Sequence, residues 1–155
     1  MIVAISSVIF LFLADQVIKQ WALQNLYNKN IVIVKNWFYL ELFKNENIAF
    51  SLPLPPLIAT FLSVIIILAL IYYFIKFVKK HFGCQEYALL LIITGALSNL
   101  IDRLWHNAVI DYINFTYWPV FNVADIMISV GVALLLILLI KKKEFVQFVQ
   151  IRLPD

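Results

Sequence analysis

The chain has 155 residues, of which 64% are hydrophobic, 15% aromatic and 14% charged, and its mean hydropathy is +0.94. This composition excludes an ordinary soluble domain and indicates an integral membrane protein. The net charge of +3 favours anionic lipid headgroups as partners and gives no sign of a nucleic-acid-binding face. The one cysteine, Cys84, cannot form an internal disulfide, and the two histidines lack the spacing of a metal site.

Four apolar stretches are long enough to cross a bilayer as helices, which takes about 20 residues each. They cover residues 2–23, 57–77, 87–105 and 123–140. The first is predicted to be a retained helix, because no basic residue precedes it and no small-residue cleavage site follows it. Seven of the twelve Lys and Arg residues fall at the end of the second span, between the second and third spans, or after the fourth. This bias predicts that both termini lie on the cytoplasmic side.

The two remaining connections are therefore predicted to lie outside. In residues 24–56, two β-branched or aromatic runs, 31–34 and 37–43, predict a hairpin on the membrane surface. Residues 106–121 are predicted to form a short loop whose aromatic side chains favour the bilayer interface. The expected fold is a single all-α membrane domain over residues 1–155, with four transmembrane helices, a small extracytoplasmic β-sheet and a short extracytoplasmic loop. We expect a monomer.

Polar residues in or beside the spans cluster toward the outer ends of the helices. They are Asp15, Lys19, Asn45, Asn99, Asp102, Arg103, Asp111, Asn122 and Asp125. Ionisable groups in such places mark a functional site by default, because only a partner, water or a protonation change offsets their desolvation. Asp111 and Asp125 are the most informative pair. If the fold brings them together, they can share one proton, which leaves one carboxylate as base and the other as acid for hydrolysis.

Helical spacing predicts pairs within this cluster. Asp15 and Lys19 are four residues apart and can form an ion pair, which helix packing explains at least as well as chemistry does. Asn122 and Asp125 are three residues apart at the start of a helix, so both can face one site. For Asp125 alone, a favourable position for an acid at a helix N-terminus is an equally good explanation.

The third predicted helix carries a further group. Asn99 can face the same cavity as Asp102 or Arg103, which follow it by three and four residues. Arg103 is expected to brace the outer loop by hydrogen bonding, with a substrate carbonyl as the alternative partner. Gly95, one turn earlier, allows a neighbouring helix to approach closely.

Five short blocks together closely resemble the lipoprotein signal peptidases, or signal peptidase II, the aspartic proteases of the bacterial inner membrane. In chain order the blocks are Asp15 and Gln16 with Lys19; Asn45 to Phe50; Gly95, Asn99, Asp102 and Arg103; Val109 to Tyr112; and Phe121 to Asp125. In the second block Asn47 stands where the family has glycine. Asparagine enters the positive-φ region more readily than most residues, so it can replace glycine in a turn.

The resemblance implies a protease that needs no metal or organic cofactor. Its implied substrates are diacylglyceryl-modified prolipoproteins, cut before the modified cysteine at the outer face of the bacterial cytoplasmic membrane. Asp111 and Asp125 are implied as the catalytic dyad. The residues implied to support the site or the bound substrate are Asn45, Asn99, Asp102, Arg103, Asn122, Asp15 and Lys19.

Two functions of other classes remain as alternatives. A small transporter or channel subunit would use the acids and Lys19 to relay protons or bind ions, although no polar series reaches the inner side. A structural scaffold would dock a partner on the aromatic outer loop and would need neither Asp111 nor Asp125. Peptide cleavage discriminates the protease from both.

Overall fold

The computed structural model describes residues 1–46, 55–78 and 82–152, with the backbone alone for residue 77 and residues 142–152. Asn47, the departure from the family pattern, therefore lies outside the described residues. The described elements are α1 (Ile2–Asn25), β1 (Asn30–Val34), β2 (Phe38–Asn45), α2 (Pro56–Val78), α3 (Cys84–His106), β3 (Val109–Phe115) and α4 (Val123–Arg152). Each of the four helices contains a stretch long and apolar enough to cross a membrane. The four predicted spans are thus confirmed.

Helix α3 lies at the centre of the bundle and packs against the other three helices. Its span is 56% buried, whereas those of α1, α2 and α4 are between 11% and 17% buried. The outward faces of the other helices are apolar, as at Phe10 and Leu139, which are 70% and 62% exposed. Because lipid cannot solvate polar groups, polar side chains are placed where α3 is shielded by its neighbours.

Helices α3 and α4 approach most closely at two glycines. A Cβ atom on Gly95 would lie 2.6 Å from the backbone oxygen of Ala124, and one on Gly131 would lie 2.7 Å from that of Ala88. Neither distance leaves room for a side chain, so both contacts require glycine. The predicted role of Gly95 is confirmed, and Gly131 is a second such position. The Gly95 contact holds the first turn of α4 against the middle of α3.

The three strands form an antiparallel sheet in the order β1-β2-β3. The predicted hairpin is confirmed as β1 and β2. Its turn is closed by the Trp37 N–H, which donates to the Val34 carbonyl over 3.0 Å. Asn36 supplies a φ of 61°, a left-handed conformation that asparagine tolerates better than most residues.

One part of the predicted outer loop is a strand. Residues 109–115 form β3, which pairs with β2 and completes the sheet. The acidic Asp111 interrupts what is otherwise a run of β-branched and aromatic residues, so a pattern based on polarity indicates a loop. Burial of that carboxylate is decided by tertiary contacts. After β3 the chain turns back, and Ile113 exchanges hydrogen bonds with Phe121, which brings the start of α4 beside the strand.

Candidate active site

The sheet places Asn45 next to Asp111. The β2–β3 register pairs Asn45 with Val109 and Phe43 with Asp111, so Asn45 and Asp111 are diagonal neighbours across the two strands. The Asn45 amide donates a hydrogen bond of 3.0 Å to Asp111 Oδ2. Asp111 itself is 1% exposed. The last strand of the sheet thus carries a buried carboxylate whose position is fixed by the strand beside it.

Helix α4 begins with a reciprocal capping arrangement that contains Asp125. Asn122 immediately precedes the helix, and its Oδ1 accepts the Asp125 N–H over 2.8 Å. In return, Asp125 Oδ2 accepts the Asn122 backbone N–H over 3.2 Å. This is the geometry of a capping box, in which the residue before the helix and the third helical residue satisfy each other's N–H groups. The N-terminal position of Asp125 therefore orients its carboxylate as well as stabilising the helix.

Asn122 also joins the two aspartates. Its side-chain amide donates to Asp111 Oδ1 over 2.7 Å, while its backbone N–H donates to Asp125. The second oxygen of Asp125 accepts the Asn99 amide over 2.8 Å. All four carboxylate oxygens of the pair therefore accept an N–H group. The structure brings together Asp111, Asp125, Asn45, Asn99 and Asn122.

A second buried polar cluster, centred on Lys19, is joined to the aspartates through Asn99. Lys19 is 1% exposed, and its Nζ lies 2.8 Å from Asp15 Oδ2 and 2.8 Å from Asp102 Oδ2. It also donates to Asn99 Oδ1 over 2.9 Å. Asp102 in turn accepts the Ile110 N–H over 3.1 Å, which ties β3 to α3. The predicted Asp15–Lys19 pair is present, and Asn99 and Asp102 face the same side, where both contact the Lys19 ammonium.

Asp15 connects four elements through one side chain. Besides Lys19 on its own helix, it accepts hydrogen bonds from Ser98 on α3 (2.6 Å), from the Tyr112 hydroxyl on β3 (3.1 Å) and from the Ala124 N–H on α4 (3.2 Å). No buried side-chain nitrogen or oxygen in the described part of the chain lacks a hydrogen-bond partner. A fully satisfied polar network of this kind fixes one arrangement of the helix ends and the sheet.

Burial is the main cause of the altered acidity in β3. It raises the pKa of Asp111 to about 7, and the charge of Asp125 adds to the increase, while the hydrogen bond from Asn45 and the charge of Lys19 oppose it. Burial and the nearby Asp15 also raise the pKa of the Tyr112 phenol, so this hydroxyl stays neutral and donates. Asp111 is therefore able to hold a proton near neutral pH.

Arg103 lies half-buried in the last turn of α3. Its positive charge is attracted by the nearby carboxylates of Asp125, Asp111 and Asp102. The hydrogen bond from Arg103 to the outer loop stays a prediction.

A cavity of about 230 Å³ opens beside Asp125. Its other lining residues are mainly apolar and come from the outer loop and α4: Trp118, Phe121, Ile126, Ser129 and Val130. The cavity therefore offers apolar space directly next to a carboxylate.

The buried positions of two members of the polar network, Ser98 and Tyr112, were not predicted from the sequence. Ser98 links α1 to α3, because it donates to Asp15 and accepts the Gln16 amide over 2.7 Å. A serine inside an apolar span is a signal for hydrogen bonding between helices, and it would have found this residue. Tyr112 was assigned to an interfacial loop, whereas it is 2% exposed. No sequence signal distinguishes an interfacial tyrosine from this buried one.

Comparison with known proteins identifies the family. The family model described as signal peptidase (SPase) II matches residues 7–141. The lipoprotein signal peptidase of Clostridium novyi (strain NT) is 33% identical over 142 residues, which is 87% of this chain and 95% of the relative. The lipoprotein signal peptidase of Halothermothrix orenii is 34% identical over 139 residues, covering 88% and 94%.

Two solved structures share the fold. Both are described as bacterial membrane enzymes determined by the in meso method, at 2.3 Å and 1.9 Å resolution. The first superposes with a TM-score of 0.83 at 27% identity and covers 92% of this chain and 90% of that one. The second has a TM-score of 0.77 at 26% identity, with coverage of 91% and 94%. With residues 7–141 matched by the family model, the chain belongs to the signal peptidase II family and is an aspartic protease of the membrane.

Proposed function

We propose that this protein removes signal peptides from diacylglyceryl-modified prolipoproteins, and that Asp111 and Asp125 form its catalytic dyad. The observation that carries the proposal is the bridge made by Asn122, which donates to Asp111 over 2.7 Å and to Asp125 over 3.2 Å. Two carboxylates held by one residue in a low-dielectric site have different proton affinities and suit acid–base hydrolysis. The names of the relatives supply the substrate class.

The environments of the two aspartates support different roles. Asp111 is buried, and its raised pKa of about 7 allows it to keep a proton. Asp125 lines the cavity, where an attacking water molecule can reach its carboxylate, whereas Asp111 is not among the residues that line it. In the proposed reaction Asp125 takes a proton from a water molecule as its oxygen attacks the scissile carbonyl carbon. Asp111 donates its proton to the carbonyl oxygen, which gives a tetrahedral gem-diol. The carbon–nitrogen bond then breaks as Asp125 passes its proton to the leaving amine and a hydroxyl of the gem-diol returns a proton to Asp111, which leaves the carboxylic acid product.

The apolar cavity and the membrane together explain a lipid-modified substrate. The acyl chains of a diacylglyceryl group partition into the bilayer and hold the adjacent peptide bond at one depth. The cavity beside Asp125 offers apolar contacts from Phe121 and Ile126 at the point where that bond would lie. The sheet and the aromatic loop would clamp the remaining substrate. Proposed supporting residues are Asn45, Asn99, Asp102, Arg103, Asn122, Asp15 and Lys19.

The site is proposed to face the outer side of the bacterial cytoplasmic membrane, with both termini in the cytoplasm and the protein acting as a monomer. The basic residues near the α2–α3 connection and after the span of α4 support this orientation. The two aspartates lie next to the sheet, near the ends of α3 and α4 that are farther from these basic residues. A substrate that has crossed the membrane would therefore meet the site as it emerges.

Cleavage of a diacylglyceryl-modified prolipoprotein by the purified wild type, Asp111→Asn and Asp125→Asn tests the dyad. Each variant loses one proton-transfer group, so we expect a fall of at least about 10²-fold in kcat. Thermal unfolding in detergent verifies that both variants are folded. A wild type that releases no signal peptide, or a folded variant with a near-normal rate, would overturn the proposal.

The lipid requirement is tested with the same precursor lacking the diacylglyceryl group. We expect the unmodified precursor to be cleaved poorly, because nothing anchors its scissile bond at the depth of the dyad. Equal rates for the two precursors would refute the anchoring argument and leave the dyad untouched.

A further inference from the structure

A buried lysine, Lys19, is linked to Asp125 of the dyad through one intervening side chain. Lys19 lies on α1, and no element of the proposed acid–base reaction requires a positive charge there. A lysine ammonium has three hydrogens and accepts none. Each hydrogen of Lys19 has a close acceptor: Asp15 at 2.8 Å, Asp102 at 2.8 Å and Asn99 at 2.9 Å. Two of these contacts form ion pairs, and the third leads toward the dyad.

The third contact determines which way the Asn99 amide faces. Because Lys19 can only donate, the group of Asn99 that faces it has to be the oxygen. The nitrogen is then directed to the opposite side, where it donates to Asp125 Oδ1 over 2.8 Å. Asn122 reinforces this orientation by donating to the same Asn99 oxygen over 3.1 Å. A reversed amide would place N–H groups against an ammonium and an oxygen against a carboxylate.

We propose that Lys19 is a positioning residue for catalysis, which acts on Asp125 through Asn99. Its ammonium polarises the Asn99 amide and locks its orientation, so that the amide holds the Asp125 carboxylate in place for the attacking water. Hydrogen bonds in a chain strengthen one another at low dielectric, and all members of this chain except Asp125 are buried. The inference rests on the proposed role of Asp125.

If Lys19 had a purely structural role, its removal would lower stability without a specific effect on kcat. Removal of a lysine between two buried acids also costs stability, because it leaves both charges without a partner. Gln16 offers a matched control. It lies on the same helix and donates to Ser98 over 2.7 Å, so it also joins α1 to α3, whereas its side chain has no hydrogen bond to Asn99 among the described residues. Lys19 makes a longer contact of 3.3 Å with the same serine. Gln16→Leu removes an interhelical hydrogen bond and leaves the path to Asp125 intact.

The test compares Lys19→Met with Gln16→Leu, by kcat and KM on a diacylglyceryl-modified prolipoprotein and by thermal unfolding in detergent. For Lys19→Met we expect kcat to fall ~10- to 100-fold, as for loss of a group that orients a catalytic ligand, with little change in KM. Gln16→Leu should lower the unfolding temperature and leave kcat nearly unchanged. If Lys19→Met fails to fold, Lys19→Met combined with Asp102→Asn removes one charge of each sign, and the kcat of this double variant is compared with that of Asp102→Asn alone. A folded Lys19 variant with normal kcat would overturn the inference.

A double-mutant cycle with Asn99→Ala locates the effect. If Lys19 acts through Asn99, Lys19→Met should reduce the rate much less in the Asn99→Ala background than in the wild type, measured as single turnovers with excess enzyme. An equal reduction in both backgrounds would overturn the inference. If Asn99→Ala has no detectable activity, the comparison with Gln16→Leu decides by itself. The dyad variants separate the two proposals, because normal activity in Asp125→Asn would refute the dyad, whereas normal activity in Lys19→Met would refute only the role of Lys19.

Discussion

At the scale of single residues, the site depends on asparagines that hold carboxylates. Asn45, Asn99 and Asn122 each donate an N–H to Asp111 or Asp125, and Asn122 donates to both. An asparagine amide supplies both donors and an acceptor in a rigid plane, so it can bond a carboxylate and be held by a third group at once. These residues keep two acids in place without adding a charge that would pair with either one.

The protonation of Asp111 leads to a prediction for pH. Burial raises its pKa from 3.8 to about 7, so the neutral form stabilises the folded state relative to the unfolded chain. That stabilisation is fully present below a pH of about 4 and is lost as the pH rises through about 7. We expect the wild-type unfolding temperature in detergent to fall between about pH 5 and about pH 8. Asp111→Asn, which cannot ionise, should show a smaller fall, and an equal fall would contradict the assignment.

The proton on Asp111 also leads to a prediction for how kcat/KM changes at alkaline pH. If Asp111 acts as the acid, kcat/KM should decrease above a pH of about 7 as the shared proton is lost. The apparent value belongs to the coupled pair of aspartates. Initial rates across the pH range, with the substrate stable throughout, measure it. A rate that stays constant well above neutral pH would show that no proton on the dyad is needed.

At the scale of elements, the close contact between α3 and α4 positions the first turn of α4. Gly95 lies against the Ala124 carbonyl, one residue before Asp125, whereas Gly131 lies against Ala88 near the other end of α3. Both contacts involve backbone atoms that cannot move independently of their helix. The two glycines therefore have similar packing roles at different distances from the dyad.

Substitution of the two glycines separates packing from catalysis. Gly95→Ala and Gly131→Ala should each destabilise the bundle by about 1–3 kcal/mol, because the added methyl group forces the helices apart. Gly95→Ala should also lower kcat, since it displaces the turn that carries Asp125. Gly131→Ala should retain kcat at temperatures where it is folded. Unfolding and cleavage assays on both variants measure this, and normal activity in Gly95→Ala would contradict the proposed coupling.

At the scale of the whole molecule, Asp15 joins the helices and the sheet. Its carboxylate accepts hydrogen bonds from α1, α3, β3 and α4. Since these donors belong to four different elements, one buried charge sets the relative positions of all four. Apolar contacts add to this network, because Val8, Leu91 and Met127 form a buried cluster between α1, α3 and α4.

Asp15→Asn should therefore be severely destabilising. The substitution leaves Lys19 with one ion-pair partner in place of two. It also replaces one acceptor oxygen by an NH2 group that faces other donors. The breaking of a buried ion pair typically costs about 3–5 kcal/mol. We expect a larger loss of thermal stability than for Asp111→Asn, whose charge has no direct ion-pair partner among the described residues. Unfolding temperatures measured side by side test this order. A stable Asp15→Asn variant would show that the sheet and helices are held mainly by other contacts.

The orientation in the membrane has a natural reporter. Cys84 is the one cysteine of the chain, and it is exposed at the first residue of α3. With the dyad on the outer side, Cys84 should face the cytoplasm. A membrane-impermeant maleimide should label it in inverted vesicles and leave it unlabelled in intact cells, with Cys84→Ser as the control. Labelling of intact cells would reverse the proposed topology.

The sequence alone determined the parts of the protein that depend on local pattern. The four spans follow from the length of the apolar stretches, because a helix is the structure that satisfies its own backbone in lipid. The β1–β2 hairpin follows from two β-rich runs around Asn36, and the Asp15–Lys19 and Asn122–Asp125 pairs follow from helical spacing. The resemblance added the family, which the comparisons confirm.

Tertiary structure decided how distant parts meet. Strand β3 was not predicted, because the burial of Asp111 depends on Asn45 and Asn122, which come from other parts of the chain. The same holds for the meeting of Lys19 with Asp102 and Asn99 across two helices. Periodicity in a sequence shows which face of an element is polar, but it does not show which other element covers that face. In this protein the covering elements turn scattered polar residues into one connected site.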